Sequence, residues 1–280
     1  MSINWFPGHM VKARREIQEN AAAVDLVIEV LDARAPRSTL NPDLPGLVKG
    51  KPIIRVLNKS DLADERATRR FIDYFEQEGV PAVGMDSLTG QGAREVLRVV
   101  RDAFRPVAEQ LRKRRARVRP ARVMVAGAPN TGKSSFINAL VGKKTVKTGA
   151  RPGITRGKQW IRVRREIELL DTPGIMWPRV DSEEQGLRLA LLAVVGEASY
   201  QEEEIAWSLI KTMQVLAPEA LRQRYRLEEI HADVHDTIEQ IGQNRGLLLK
   251  GGVVDTTRTA RMLIDEYRRG SLGRFTLDEV

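Results

Sequence analysis

Three short stretches of this chain carry the residue types that phosphate and purine chemistry requires. Gly127-Ala128-Pro129-Asn130-Thr131-Gly132-Lys133-Ser134 fits G-x-x-x-x-G-K-S. Its glycines let backbone N–H groups close on a phosphate, and a following helix adds partial positive charge at its N-terminus. Asn130, Thr131, Gly132, Lys133, Ser134 and Ser135 are therefore the candidate phosphate-loop residues. Lys133 is expected on the β- and γ-phosphates as a catalytic charge, and the Ser134 hydroxyl on magnesium. Asp171-Thr172-Pro173-Gly174 closes a later strand; Asp171 is expected to hold magnesium and the Gly174 amide to sense the γ-phosphate. Between them Thr155, in Arg151-Pro152-Gly153-Ile154-Thr155, is the candidate switch residue, reaching magnesium and joining catalysis only with GTP bound. Earlier in the chain stands Asn58-Lys59-Ser60-Asp61. The Asp61 carboxylate can accept two hydrogen bonds from guanine, whereas adenine would leave a buried carboxylate unpaired. Asn58 and the stem of Lys59 would complete the base pocket. Ser87, opening Ser87-Leu88-Thr89-Gly90-Gln91-Gly92, is placed where a backbone-amide loop would meet the guanine carbonyl, with Leu88 where alanine is usual.

The order of these stretches is inverted. In an ordinary small GTPase the phosphate loop comes first and the base-reading motif last, so this order implies circular permutation. The surrounding pattern supplies elements to carry them. Apolar runs at 25–32, 52–57, 81–85 and 122–126 read as strands, with paired strands at 160–163 and 167–170. Helical composition falls at 10–22, 64–78, 91–113 and 133–141. Strands alternating with helices imply an α/β fold, a circularly permuted P-loop GTPase domain with a mostly parallel sheet, over residues 1–178. A basic linker at 110–122 joins its two halves. Residues 179–280 lose the strand pattern and read as a small all-helical domain, with Asp181-Ser182-Glu183-Glu184 able to start a helix by side-chain capping and breaks at Pro218, Gly242 and Gly251-Gly252.

Charge is unevenly distributed. Residues 1–180 hold 34 Lys/Arg against 19 Asp/Glu, while residues 181–280 hold 12 against 18. A polyanion would be drawn to the first part. Seven basic residues between Arg112 and Arg122 exceed what a helix end needs, which favours phosphate contact and a nucleic-acid partner. The chain has no cysteine, so disulfides and thiolate metal sites are excluded. No apolar run approaches the roughly 20 residues that span a bilayer. The N-terminus lacks a signal-peptide layout, and a cytoplasmic location is expected. After Gly174 stands Ile175, where many GTPases place a water-orienting glutamine. Isoleucine cannot hydrogen-bond water, so that group must come from elsewhere or hydrolysis must be slow.

Together these features resemble the bacterial ribosome biogenesis GTPase A family over essentially the whole chain. The resemblance rests on Asn4-Trp5-Phe6-Pro7-Gly8-His9-Met10, Asp32-Ala33-Arg34-Ala35-Pro36, the inverted motif order, Asp171 to Pro178, Lys250-Gly251-Gly252 and Gly270-Ser271-Leu272-Gly273-Arg274. It implies a GTPase acting in assembly of the large ribosomal subunit, binding pre-ribosomal particles in the GTP state and leaving on hydrolysis. By the same resemblance His9 takes over water activation, Asn130 helps ligate a potassium ion, the basic run from Arg112 to Arg119 meets ribosomal RNA, and the helical domain binds the immature large subunit. Arg258, Arg261, Arg268, Arg269 and Arg274 could form an RNA-contacting face there, and a monomer is expected. Two other readings stay open: a nucleotide-gated RNA-binding switch with incidental hydrolysis, and a permuted GTPase serving the small subunit.

Overall fold

A computed structural model describes residues 7–143, 159–172, 174, 180, 182–196 and 200–280, with side chains described from Arg14 onward and, in the second stretch, from Trp160. These residues divide into two compact units. One comprises residues 2–179 with 278–280; the other comprises residues 180–277.

The first unit runs α1 (Pro7–Ala21), β1 (Leu26–Asp32), α2 (Leu44–Leu47), β2 (Ile53–Asn58), α3 (Glu65–Gln77), β3 (Ala82–Met85), α4 (Ala93–Lys113), β4 (Ala121–Ala126), α5 (Lys133–Val141), β5 (Gln159–Val163) and β6 (Ile167–Asp171). The six described strands form one sheet in the order β3-β2-β1-β4-β6-β5. Every neighbouring pair is parallel except β5 with β6. The fold is thus the permuted α/β GTPase sheet that the motif order implied.

β1 is buried along its whole length, as a central strand covered on both faces must be. Its even-numbered side chains Leu26, Ile28 and Val30 join a core under α4 and α5, with Val100, Phe104, Phe136 and Ile137. Val27 faces the opposite way, into a second core with Ile17, Leu44, Met124 and Leu170. Leu31 and Leu57 meet Phe71 and Phe75 of α3 in a third. α3 starts where the Asp64 carboxylate accepts from Ala67 N at 2.6 Å, a cap that satisfies a helix-end donor. The expected linker at 110–122 is shorter in fact: α4 continues to Lys113, β4 begins at Ala121, and only residues 114–120 connect them. The last residues of the chain return to this unit, where Asp278 accepts from Ser38 N and Ser38 Oγ, both at 2.7 Å.

The second unit contains α6 (Glu183–Leu191), α7 (Glu202–Leu216), α8 (Pro218–Tyr225), α9 (Val234–Asn244) and α10 (Thr256–Arg268). Leu209, Ile210 and Met213 of α7 are buried with Ile241 of α9 and Leu263 of α10. Ser182 caps α6 and Pro218 opens α8. Gly242 does not break a helix. It lies inside α9, where an added Cβ would stand 2.3 Å from Val254 Cγ1 and 2.8 Å from Thr259 Oγ1; the glycine serves close packing rather than a turn. The arginines expected to form a basic face are largely engaged within the unit. Arg261 pairs with Glu202, Arg269 with Asp265, and Arg268 donates to the carbonyls of Leu191 and Ala190. Among the described residues no helix is long and apolar enough to cross a membrane.

Candidate nucleotide-binding site

Four of the parallel strands end at the same edge of the sheet, and each end carries a residue type the chemistry needs. β1 ends at Asp32, β2 at Asn58, β6 at Asp171, and β4 feeds the loop from Gly127 to Gly132. Open α/β sheets bind ligands at this carboxyl edge.

The phosphate loop is shaped by close backbone approach. Gly127 has φ +144°, and a Cβ there would lie 2.4 Å from the Val30 carbonyl oxygen. Gly132 has φ +93°, and its Cβ would collide with Asn58 Nδ2 at 2.3 Å. Asn130 adopts φ +58°, a conformation asparagine tolerates better than most residues. Thr131 Oγ1 donates to Ala128 O at 3.1 Å. Lys133, first residue of α5, is buried and curls back into the loop, its Nζ donating to Gly127 O at 3.1 Å and Ala128 O at 2.7 Å. Burial pushes its pKa down to about 8, against the pull of Asp171. A phosphate is the ligand that relieves such a cation, because it restores the counter-charge that burial removed. Ser134 and Ser135 follow, both half-buried.

The base-reading loop is bolted onto this one. Asn58 Nδ2 donates to Thr131 O at 2.8 Å, and Ser87 Oγ donates to Asn58 Oδ1 at 2.6 Å. Lys59, at φ +59°, donates from Nζ to Asn130 O at 2.7 Å and to Asp32 Oδ2 at 2.8 Å. Its ammonium thus joins three loops, while its stem passes Gly132. Asp61 is half-buried and close enough to Lys59 to raise the lysine's pKa, although burial leaves the net direction downward.

Asp32 and Arg34 are the functional pair to which the sequence reading gave no role. Burial alone would raise the Asp32 carboxyl; Arg34 and Lys59 reverse that and hold it well below the usual carboxylate range. Arg34 is itself buried and grips Asp32 through Nε at 2.9 Å and Nη2 at 2.8 Å. The available signal was a charged pair, two residues apart, at the end of a strand that is otherwise nearly all apolar. Asp86 was missed as well: it accepts from Leu88 N at 2.7 Å and Thr89 Oγ1 at 2.5 Å, folding the loop that presents Ser87. Leu88 is 85% exposed beside it.

The Asp171 carboxylate is buried at the end of β6, and Thr172 Oγ1 anchors the following turn on Val125 O at 2.6 Å. β6 pairs with β4, so the end of β6 and the start of α5 share one edge. The Ser134 hydroxyl and the Asp171 carboxylate are hard oxygen donors, a set that fits magnesium. Gly174 sits against the phosphate loop, where a Cβ would meet Pro129 Cα at 2.8 Å and Lys133 Nζ at 3.1 Å. Thr155 and Ile175 lie outside the described residues. His9 stands in the first turn of α1, and its side chain lies outside them too. The structure therefore brings together Asn58, Lys59, Asp61, Ser87, Asn130, Thr131, Gly132, Lys133, Ser134, Ser135, Asp171 and Gly174, and leaves His9 and Thr155 unplaced.

Known proteins resemble this chain in sequence and fold. A family model described as "50S ribosome-binding GTPase" matches residues 122–244. Ribosome biogenesis GTPase A of Bacillus cereus is 40% identical over 278 residues, covering 99% of this chain and 94% of that protein. The protein of the same name from Priestia megaterium is 39% identical, with 100% and 97% covered. The crystal structure of GNP-bound YlqF from Thermotoga maritima matches with a TM-score of 0.65 and 29% identity, over 96% of this chain and 98% of that one. Interlocked base and phosphate loops in inverted order, with relatives of this identity over the full length, establish that the chain belongs to the ribosome biogenesis GTPase A family and is a GTP-hydrolysing enzyme of ribosome biogenesis.

Proposed function

We propose that this GTPase acts on the large ribosomal subunit, binding its precursor in the GTP state and leaving when GTP is hydrolysed in the cytoplasm. The observation that carries the reading is the lock between Asn58 and Thr131 and between Lys59 and Asn130. It makes guanine recognition and phosphate binding one rigid unit, so nucleotide state can be transmitted to a partner. The large-subunit assignment is supported by the family model's description, and the ribosomal role by the relatives' names.

In this reading Asp61 takes the guanine edge, with the stem of Lys59 and the Asn58-supported Ser87 loop around the base. Lys133 leaves the loop carbonyls for the β- and γ-phosphates. Ser134, Asp171 and Thr155 hold magnesium, which supplies positive charge to the phosphate oxygens when bound. The Gly174 amide reads the γ-phosphate. His9 activates the water that Ile175 cannot orient, and Asn130 contributes to a potassium site whose charge serves where an arginine finger would. The helical unit and the residue 114–120 linker contact the particle, and the chain works as a monomer.

The test is GTP turnover with purified large or small subunits, in potassium and in sodium buffer. The expected result is strong stimulation by large subunits alone, greater in potassium. Equal stimulation by small subunits, or none by either, would overturn the assignment; equal rates in both buffers would remove the potassium role.

A further inference from the structure

The end of the sheet opposite the nucleotide site holds a cleft of about 810 Å³ lined by seven arginines and a single acid, Glu166. It forms where α4 ends, where residues 117–120 lead into β4, and at the turn between β5 and β6. Ala121, in its wall, is the first residue of β4, whereas the phosphate loop follows the last. The two sites are thus roughly 17 Å apart along one strand. The cleft's floor is apolar, with Phe104, Ala108 and Val118.

Its arginines fall into two groups. Arg101, Arg105 and Arg119 have carboxylate partners, Arg119 gripping Asp25 at 2.7 and 2.8 Å. Arg112, Arg117, Arg162 and Arg165 have none among the described residues, although they face one volume. Converging like charges repel and disfavour the compact state unless something neutralises them. Backbone geometry points the same way. Arg164, next in the chain to Arg165, adopts φ +54°, a left-handed conformation normally given to glycine or asparagine. The chain keeps a guanidinium beside the cleft at a conformational cost.

The chemistry of the walls selects the ligand. A guanidinium fork matches phosphate oxygens in pairs. Trp160 does not line the cleft; it stands beyond the rim on the edge strand β5, two residues from Arg162 and on the same strand face, which turns away from α4. It is 43% exposed, with the Arg122 guanidinium 5.5 Å from its ring centroid. Exposed aromatic rings beside arginines are stacking platforms for unpaired bases. A cleft of this volume accepts a few linked nucleotides rather than the face of a duplex.

We propose that this cleft binds single-stranded RNA, its phosphates on Arg112, Arg117, Arg162 and Arg165, the strand passing round the edge of β5 at Arg162 to lay a base on Trp160 outside the rim. The proposal rests on the ribosomal reading above only for the source of that RNA.

The test uses the full chain and a fluorescein-labelled oligouridylate of about twelve nucleotides, followed by anisotropy between about 50 and 200 mM KCl. Arg117→Ala/Arg162→Ala/Arg165→Ala should weaken binding at least tenfold. It should also flatten the dependence of log affinity on log salt by about 2, since each phosphate contact on a single strand contributes about 0.7. Trp160→Ala should cost roughly fivefold or more with the salt slope unchanged. Basal GTP turnover of these variants should equal that of the parent. Unchanged RNA affinity and slope in the triple variant would overturn the proposal. So would a Trp160→Ala variant with parental affinity whose RNA is displaced by inorganic tripolyphosphate, because the cleft would then hold small polyanions. Subunit-stimulated turnover of the parent is measured alongside: stimulation with an unaffected triple variant sinks the cleft alone, and lost RNA binding without stimulation sinks only the large-subunit assignment.

Discussion

The two ends of the central sheet handle charge in opposite ways. At the nucleotide end a buried charge cluster is matched internally: Asp32 holds Arg34 and Lys59, and Lys59 in turn holds the phosphate loop, leaving Lys133 on loop carbonyls. At the other end Arg112, Arg117, Arg162 and Arg165 crowd one cleft with no carboxylate partner among the described residues. Burial explains the difference. An ion removed from water must be paired or it costs several kcal/mol, whereas an arginine facing solvent can wait for a ligand. The matched end is therefore built to be rigid before nucleotide arrives, and the unmatched end to gain from what it meets.

Breaking the matched end should have the largest effect. Arg34→Ala leaves the buried Asp32 with Lys59 alone and should cost about 3 kcal/mol of stability, the scale for removing one partner of a buried pair. Urea melts check that figure. GDP affinity should fall about tenfold, because Asp32, no longer gripped by the Arg34 guanidinium, ceases to fix Lys59 in its aim at Asn130 O. The decisive measurement is a double-mutant cycle with Lys59→Met: the effect of Arg34→Ala on affinity should nearly vanish in that background. An equal loss in both backgrounds would mean that Arg34 does not act through Lys59. By contrast, Arg162→Ala should leave stability within about 0.5 kcal/mol.

A second acid of β1 sharpens the contrast. Glu29 is as buried as Asp32, but its cation is more distant: Arg55 Nε lies 3.6 Å from Oε2, drawn toward the Phe75 ring at 4.4 Å. Burial, only partly offset by the Asn41 amide and Arg55, pushes the Glu29 carboxyl up to about 7 from an ordinary 4.5. A pKa raised on folding favours the folded state fully below pH 4.5, and that contribution is lost as pH climbs through 7. The difference is about 3 kcal/mol. Relative to Glu29→Gln, whose amide oxygen can still accept from Asn41 N, the parent should lose that amount between pH 4.5 and pH 8. Parallel stability curves for the two proteins would show that Arg55 already neutralises the acid.

What the sequence disclosed follows the same division. The phosphate and base loops were legible because their residue types have little other use at the end of a strand, and the strands because apolar runs persist even where both faces are covered. The glycine at 242 misled, since a helix that packs with its backbone against Val254 selects glycine for the same reason a turn does: absence of a side chain. Asp32 and Arg34 stayed silent because their role depends on Lys59, 25 residues further along the chain and brought alongside by parallel pairing of β1 and β2. The arginine cleft was half visible. The basic run announced itself, but Arg162 and Arg165 join it only because β6 pairs with β4 and carries the hairpin turn to the same edge.

The smallest predicted effect tests whether the unmatched end is kept for a ligand at the expense of the fold. Arg164 holds φ +54° in the turn between β5 and β6 and is exposed. Glycine adopts that conformation without the clash of a Cβ with backbone oxygen, though it surrenders more entropy on folding. The balance should favour Arg164→Gly by up to about 1 kcal/mol, a rise of about 2 °C in a thermal melt for a unit of this size. RNA affinity should meanwhile fall two- to threefold through loss of one nearby positive charge. A position selected for stability would answer in the reverse sense, with a lower melting temperature on removing the arginine. Raised stability with weakened binding would identify the turn as a place where the chain tolerates strain in order to hold a guanidinium beside the cleft.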